Sequence, residues 1–281
     1  MKNILITGAN GQLGTELGAL LPDAIKTDRN ELDITNADAV NRFVDKNKID
    51  AIVNCAAYTA VDRAEDDIQM AEQINVVGPR NLAMSGAKII HISTDYVFDG
   101  TAHRPYSALD LPNPVSVYGK TKLSGEFAVR NFAKVYAIIR TAWLYSPYGS
   151  NFVKTMLRLG HEKTEINVVA DQIGTPTYAA DLARAIVTVL PKLNAENSGI
   201  YHYTNNGVCS WYDFATEIMT MSGLKCNVNP ITTEQYPTRA TRPAYSVLDK
   251  SKIKNTFDVE IPHWRAGLAK CLSAIKNQTR E

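Results

Sequence analysis

The chain lacks the marks of several large protein classes. Its four cysteines, at positions 55, 209, 226 and 271 of 281, form no C-x-x-C pair. They signal neither a zinc site nor a disulfide framework. The five histidines are scattered without metal-ligand spacing. Thirty basic residues stand against 29 acidic ones, a net charge of +1. That balance gives no basic excess for nucleic acid. No apolar run is long enough to cross a bilayer. Met1 leads straight into a strand-like run, so no signal peptide is expected. There is no internal repeat and no low-complexity tract. These absences predict a soluble protein of the reducing cytoplasm, with neither membrane nor nucleic acid as a partner.

What is present begins at residue 2. Lys2 to Thr7 is an unbroken, largely apolar run, the pattern of a strand buried on both faces of a parallel sheet. Thr7-Gly8-Ala9-Asn10-Gly11-Gln12-Leu13-Gly14 follows, and Leu13, Leu17 and Leu20 have helical spacing. Gly8, Gly11 and Gly14 thus fall where strand turns into helix. Their missing side chains permit a tight turn and a close approach to a pyrophosphate, and the helix start offers free N–H groups to an anion. The spacing is G-x-x-G-x-x-G, not the G-x-G-x-x-G of the better-known dinucleotide fingerprint.

A second strand should end near Lys26-Thr27, leaving Asp28 where a carboxylate can bond an adenosine ribose. Arg29 beside it would tolerate a 2′-phosphate, so both NADPH and NADH are open. Thr35-Asn36-Ala37-Asp38 reads as a helix N-cap with an acid three residues on, which puts the cap at Thr35. Ala51 to Asn54 is a third buried strand, followed by small residues against which a flat ligand can lie. Lys88 to Ser93 is a fourth, and it delivers Thr94 to the carboxyl edge of the sheet. In open α/β sheets the ligand crevice lies along that edge.

Tyr118 and Lys122 carry the chemistry. A Y-x-x-x-K pair arises about once by chance in such a chain, so its context decides. Asn113-Pro114 breaks the preceding loop and Ser116 is a fair N-cap. Val117 to Phe132 then reads as a helix with Tyr118 and Lys122 on one face. A nearby ammonium favours phenolate and lowers a tyrosine pKa. Tyr118 can then hand a proton to a carbonyl oxygen as hydride reaches the carbon.

The glycine spacing, Thr94, Tyr118 and Lys122 resemble the extended short-chain dehydrogenase/reductases. Ser93-Thr94-Asp95-Tyr96-Val97-Phe98-Asp99-Gly100, Val117-Tyr118-Gly119-Lys120-Thr121-Lys122, Arg140-Thr141-Ala142-Trp143 and Asp171-Gln172-Ile173-Gly174-Thr175-Pro176-Thr177 narrow the likeness to the dTDP-4-dehydrorhamnose reductase family. The resemblance is weakest after about residue 227. It implies NADPH- or NADH-dependent reduction of the C4 ketone of dTDP-4-dehydro-L-rhamnose. It also implies roles. Gly11, Gln12 and Leu13 would contact the cofactor pyrophosphate. Asp28, Asp33 and Ile34 would line its adenosine end, and Ala57, Tyr58 and Thr59 its middle. Thr94 would hold the ketone oxygen, Tyr118 would protonate it, and Lys122 would tune Tyr118 and grip the ribose. Asp95 and Trp143 would contact the sugar. Some members dimerise through Mg²⁺ held by glutamates, and Glu16 matches one such position. No partner glutamates can be placed in the C-terminal part, so no metal is expected, and the state is monomer or homodimer.

The implied architecture is α/β, a Rossmann-like doubly wound parallel sheet over residues 1–145. A smaller substrate lobe, residues 146–281, is partly interleaved with it. In that lobe residues 151–159, 180–190, 211–221 and 263–276 read as helices, and 165–169 and 198–203 as strands. Residues 230–243 are polar and turn-rich. Other readings are a reductase of a different 4-keto-6-deoxy sugar nucleotide, an epimerase that recycles its hydride, and a non-catalytic dinucleotide-binding regulatory subunit. The intact Tyr118 and Lys122 speak against the last.

Overall fold

The computed structural model describes residues 3–278. Six strands form one parallel sheet: β1 (Ile4–Thr7), β2 (Ile25–Thr27), β3 (Ala51–Asn54), β4 (Lys88–Thr94), β5 (Tyr136–Thr141) and, from far along the chain, Gly199–His202. The expected first strand began at Lys2, which lies outside the described residues. Four strands outside this sheet intervene before its last strand is reached. They are β6 (Leu144–Tyr145), β7 (Glu165–Val169), β8 (Ile173–Gly174) and β9 (Thr177–Tyr178), so Gly199–His202 is β10. β11 (Cys209–Ser210) and β12 (Asn227–Ile231) complete the strands.

Sheet order is β2-β1-β3-β4-β5-β10. Chain order reverses between β1 and β3, and that switch point opens a crevice at the carboxyl ends of the strands. Strands buried on both faces explain the unbroken apolar runs read from the sequence. Ile6, Val53, Ile90 and Ile139 point to one face, where they meet α1 (Gln12–Leu20) and a later helix, Ala179–Lys192. Leu5, Ile52, Ile89 and Ile138 point to the other. There they meet α2 (Ala37–Asn47), a helix over Gly78–Met84 and the helix Val117–Phe132. Burying each such side chain contributes about 1.5–3 kcal/mol.

Between α2 and the Gly78 helix the chain forms α3 (Val61–Ala64), α4 (Ile68–Glu72) and a π-helical turn, Gln73–Val77. Gly78–Met84 is therefore α5 and Val117–Phe132 is α6. The rest are α7 (Phe152–Glu162), α8 (Ala179–Lys192), α9 (Trp211–Ser222), α10 (Ser251–Phe257) and α11 (Trp264–Gln278). The Ser116 cap forms as read, while the cap of α2 falls on Asn36, one residue past Thr35. The Asn36 side chain accepts from the Ala39 N–H at 3.0 Å, and the Ser116 hydroxyl accepts from the Gly119 N–H at 3.1 Å.

The second half packs around its own apolar cluster, with Met156, Phe214, Ile218, Trp264 and Leu268 at its centre. It also sends β10 into the main sheet and α8 onto α1. Local pattern could not show that β10 pairs with β5, since the two are separated by some sixty residues. The turn-rich stretch after residue 230 proves partly ordered. β12 pairs with β7 through Ile231, and a 3₁₀ turn follows at Thr233–Gln235. Among the described residues no helix is long and apolar enough to cross a membrane.

Candidate active site

One cleft of about 790 Å³ runs along the carboxyl edge of the sheet. Gly8, Gly11, Gln12, Leu13, Gly14, Asp28, Asp33, Ile34, Ala57, Thr59, Thr94, Asp95, Tyr118, Lys122 and Trp143 all line it. Tyr58 does not. Its backbone N–H donates to the Asn75 side chain at 2.9 Å, and its hydroxyl donates to Asp67 at 3.2 Å.

One end is made largely of backbone. Gly8 sits at φ +64°, and a Cβ there would meet the Ala56 backbone nitrogen at 2.7 Å. A Cβ on Gly14 would lie 2.3 Å from the Gly8 carbonyl. Only glycine lets the loop, α1 and the end of β3 come this close. α1 starts at Gln12 with no side-chain cap on Gly11, so its first N–H groups are available to an anion. Asp28 accepts from the Asn10 N–H at 3.2 Å and the Arg29 N–H at 2.8 Å, which fixes the acid against the glycine loop. Asp33 takes the hydroxyl of Thr35 at 2.7 Å and its N–H at 2.9 Å. Those bonds hold its carboxyl below the usual range. Ile34 is buried against Gly78 and forms an apolar wall.

The middle holds the acid-base pair. Tyr118 and Lys122 project from one face of α6 and both are buried. Burial lifts the Tyr118 phenol above its ordinary value, while a hydrogen bond with Thr94 works against this. The phenol is therefore a protonated donor at neutral pH. Burial lowers the Lys122 ammonium to about 8, opposed first by the charge of Glu126. Its Nζ donates to the Ile92 carbonyl at 2.6 Å. The side chain thus reaches past the phenol to the end of β4. The neighbour that acts on the phenol's proton is Thr94.

The other end is made of side chains from distant parts of the chain. Asp95 is buried, accepts from the Thr94 hydroxyl at 3.0 Å, and leaves Oδ2 without a partner. Burial pushes its carboxyl up to about 6 against hydrogen bonds from Ser246 and Thr94. Tyr96 sets its ring edge-on to Tyr118 at 5.4 Å, and its hydroxyl accepts from Arg242 at 3.2 Å. Arg242 also pairs with Asp62 at 2.7 Å. Trp143 follows β5 in a left-handed conformation, φ 50°, which costs a non-glycine residue energy and needs support from its surroundings. The Trp211 ring supplies that support, stacked at 3.6 Å and 12°. Gly174 lies on the indole so closely that a Cβ would meet it at 2.7 Å.

With that geometry in place, comparison with known proteins is informative. Residues 1–277 match the sequence model of the RmlD substrate binding domain family. The chain belongs to that family. It is 43% identical to the spore coat polysaccharide biosynthesis protein SpsK of Bacillus subtilis, over 97% of each chain. It is 42% identical to the dTDP-4-dehydrorhamnose reductase of Aggregatibacter actinomycetemcomitans, over 95% of this chain and 97% of that one. The crystal structure of dTDP-4-dehydrorhamnose reductase from Bacillus anthracis in complex with NADP is 43% identical. It superposes with a TM-score of 0.93, covering 97% of this chain and 99% of that one.

For a chain of the RmlD family, the sequence reading missed several residues that build the cleft. Asp62, Asn75 and Trp211 reach the site or its wall from three separate elements, and Arg242 and Ser246 from the loop before α10. Trp211 carries no local signal, and Arg242 lies in the stretch read as a polar turn. Glu16, the one position matched to a metal ligand, is half-buried. Burial raises its carboxyl, and Arg184 counters this. Among the described residues no group of three or more His, Cys, Asp or Glu is arranged to hold a metal ion.

Proposed function

We propose that the chain reduces the C4 ketone of dTDP-4-dehydro-L-rhamnose to dTDP-L-rhamnose, using NADPH or NADH, in the cytoplasm and as a monomer or homodimer. The observation that carries this reading is a single cleft with a glycine cradle at one end and Thr94, Tyr118 and Lys122 at its middle. The cradle fits a dinucleotide, since its glycines admit no side chain and α1 presents uncapped N–H groups. Reduced nicotinamide supplies a hydride to the ketone carbon. The protein does the rest. Thr94 orients the ketone oxygen, and Tyr118 gives that oxygen its proton. Lys122 grips the nicotinamide ribose and keeps positive charge near the developing alkoxide. Asp95 takes a sugar hydroxyl with its free Oδ2, and Trp143 offers the hexose an apolar surface. Residues 1–145 hold the cofactor and contribute Thr94, Asp95 and Trp143 to the sugar end, which residues 146–281 complete.

The test is to incubate purified protein with NADPH and dTDP-4-dehydro-L-rhamnose, follow loss of reduced cofactor, and identify the sugar formed. Stoichiometric oxidation with formation of dTDP-L-rhamnose supports the reading. Turnover with only a different 4-keto-6-deoxy sugar nucleotide moves the substrate assignment. No oxidation with either overturns it.

A further inference from the structure

Beneath the catalytic helix lies a buried ionic cluster that touches neither end of the cleft. Glu126 and Arg140 are each 1% exposed and pair across α6 and β5. Arg140 Nε donates to Glu126 Oε1 at 2.9 Å and Nη2 to Oε2 at 2.7 Å. The Ser93 hydroxyl, on β4 just before Thr94, donates to the same Oε1 at 2.5 Å. The guanidinium rests over the Phe98 ring at 5.0 Å and leaves Nη1 without a partner. A buried pair of this kind is weak evidence for stability, because the desolvation cost offsets its attraction. Its placement is the informative fact. Glu126 stands one helical turn beyond Lys122 on the same face of α6. It ties that turn to β4, which carries Thr94, and to β5, which Trp143 follows.

We infer that Glu126 is a positioning residue for the reduction: its bonds to Ser93 and Arg140 hold the turn of α6 that carries Lys122 against the end of β4, and set a carboxylate charge one helical turn from the ammonium. This rests on the reading of Tyr118 and Lys122 given above. The other groups facing Lys122 do not supply that charge. Cys55, from the loop after β3, is a half-buried thiol whose desolvation pushes it up to about 12, so it is neutral. His91, on β4, is buried and held neutral by burial and by Lys122 itself. Arg140 on β5 is a cation. Asp95, in the turn after β4, acts on Tyr118 and is absent from the groups that act on Lys122. Glu126 is the first charge opposing the loss of the Lys122 proton.

The experiment is the pH profile of kcat/KM for NADPH in Glu126→Gln, Glu126→Asp and the charge-balanced double variant Glu126→Gln/Arg140→Gln. The wild-type profile should fall on the alkaline side near pH 8, as Lys122 loses its proton. In Glu126→Gln that limb should move down by roughly one pH unit, the scale expected for removing a nearby opposite charge, and in the double variant it should move down by less, because loss of the Arg140 cation offsets part of the effect. In Glu126→Asp the limb should stay near its place while kcat falls several-fold. If Glu126→Gln alone does not fold, because Arg140 is left unpaired, the double variant decides. A folded double variant with the wild-type limb overturns the proposal, even if kcat is uniformly lower, since that is what bracing alone would give. The same limb is read a second way in the pH dependence of NADPH binding without sugar. A wild-type protein that binds NADPH but turns over no ketosugar defeats the functional reading, and the binding limb still tests Glu126.

Discussion

The two ends of the cleft are built by different means. The cofactor end uses backbone from three successive strand ends, at residues 7–14, 28–34 and 55–59, all within the first sixty positions. The sugar end gathers side chains from residues 94–96, 143, 174, 211, 242 and 246, brought together by packing between parts of the chain far apart in sequence. A backbone site is specified by where side chains are forbidden. A side-chain site is specified by which rings and carboxylates are held still. The first should fail sharply when a single methyl group is added. The second should degrade by degrees, with the acid-base pair between them setting the rate whichever end is altered.

The largest effect should come from that pair. Tyr118→Phe removes the buried phenol and leaves Thr94 as the nearest hydroxyl. It should lower kcat by at least ~10²-fold, the scale of lost general acid catalysis, with NADPH affinity nearly unchanged. Steady-state kinetics and a binary NADPH titration measure both. Near-normal turnover would mean that the proton comes from elsewhere.

Next in size is the cofactor end. Gly14→Ala would place a methyl 2.3 Å from the Gly8 carbonyl, which is fixed backbone. Overpacking of this kind costs about 1–3 kcal/mol. NADPH affinity should fall by about one to two orders of magnitude while affinity for the sugar nucleotide changes much less. Equal losses for both ligands, with a lowered Tm, would show that the methyl disturbs the sheet as a whole and would blur the contrast between the ends.

The contrast also explains how much of the molecule was legible in its sequence. The glycine loop, the strand ends and the α6 pair are local patterns, and each appears where its spacing put it. Ser116 caps the helix that it was read to cap, and the cap of α2 falls one residue past the Thr35 of the reading, on Asn36. Most second-half elements were legible as pieces, but not their partners. The entry of β10 into the main sheet and the pairing of β7 with β12 are long-range facts that local periodicity does not encode. Trp211 looked like any helix-starting aromatic until the fold stacked it on Trp143. The effect of Lys122 on Tyr118 was inferred from helical spacing alone. The length of the lysine chain carries its ammonium on to the Ile92 carbonyl, a reach that spacing does not reveal.

At the sugar end, pH offers a graded test. Asp95 titrates near 6 because burial opposes its charge. Its folded pKa is raised, so the carboxylate that accepts a sugar hydroxyl is present above about pH 6 and lost as pH falls through that value. The KM for sugar nucleotide should therefore rise in the acid range, approaching about tenfold per pH unit, while the KM for NADPH stays flat. Asp95→Asn should abolish that slope. A slope that survives the substitution would place the titrating group elsewhere.

The smallest effect separates the sugar end from its own support. Trp211 stacks on Trp143 without lining the cleft, so it acts on the sugar only through the pose of that indole. The left-handed backbone at Trp143 gives the pose an energetic reason to drift once the stack is gone. Trp211→Leu keeps apolar bulk beside Phe152 and Phe214 and removes an aromatic pair worth about 0.5–1.5 kcal/mol. The KM for sugar nucleotide should rise by about two- to tenfold, with less change in kcat and none in NADPH affinity. Trp143→Ala should do the same and more. In the double variant the loss should match that of Trp143→Ala alone, because Trp211 has no separate route to the sugar. If the two losses add, Trp211 contributes through the fold of the C-terminal half. The sugar end would then be as rigidly specified as the cofactor end, and the comparison between them would fall.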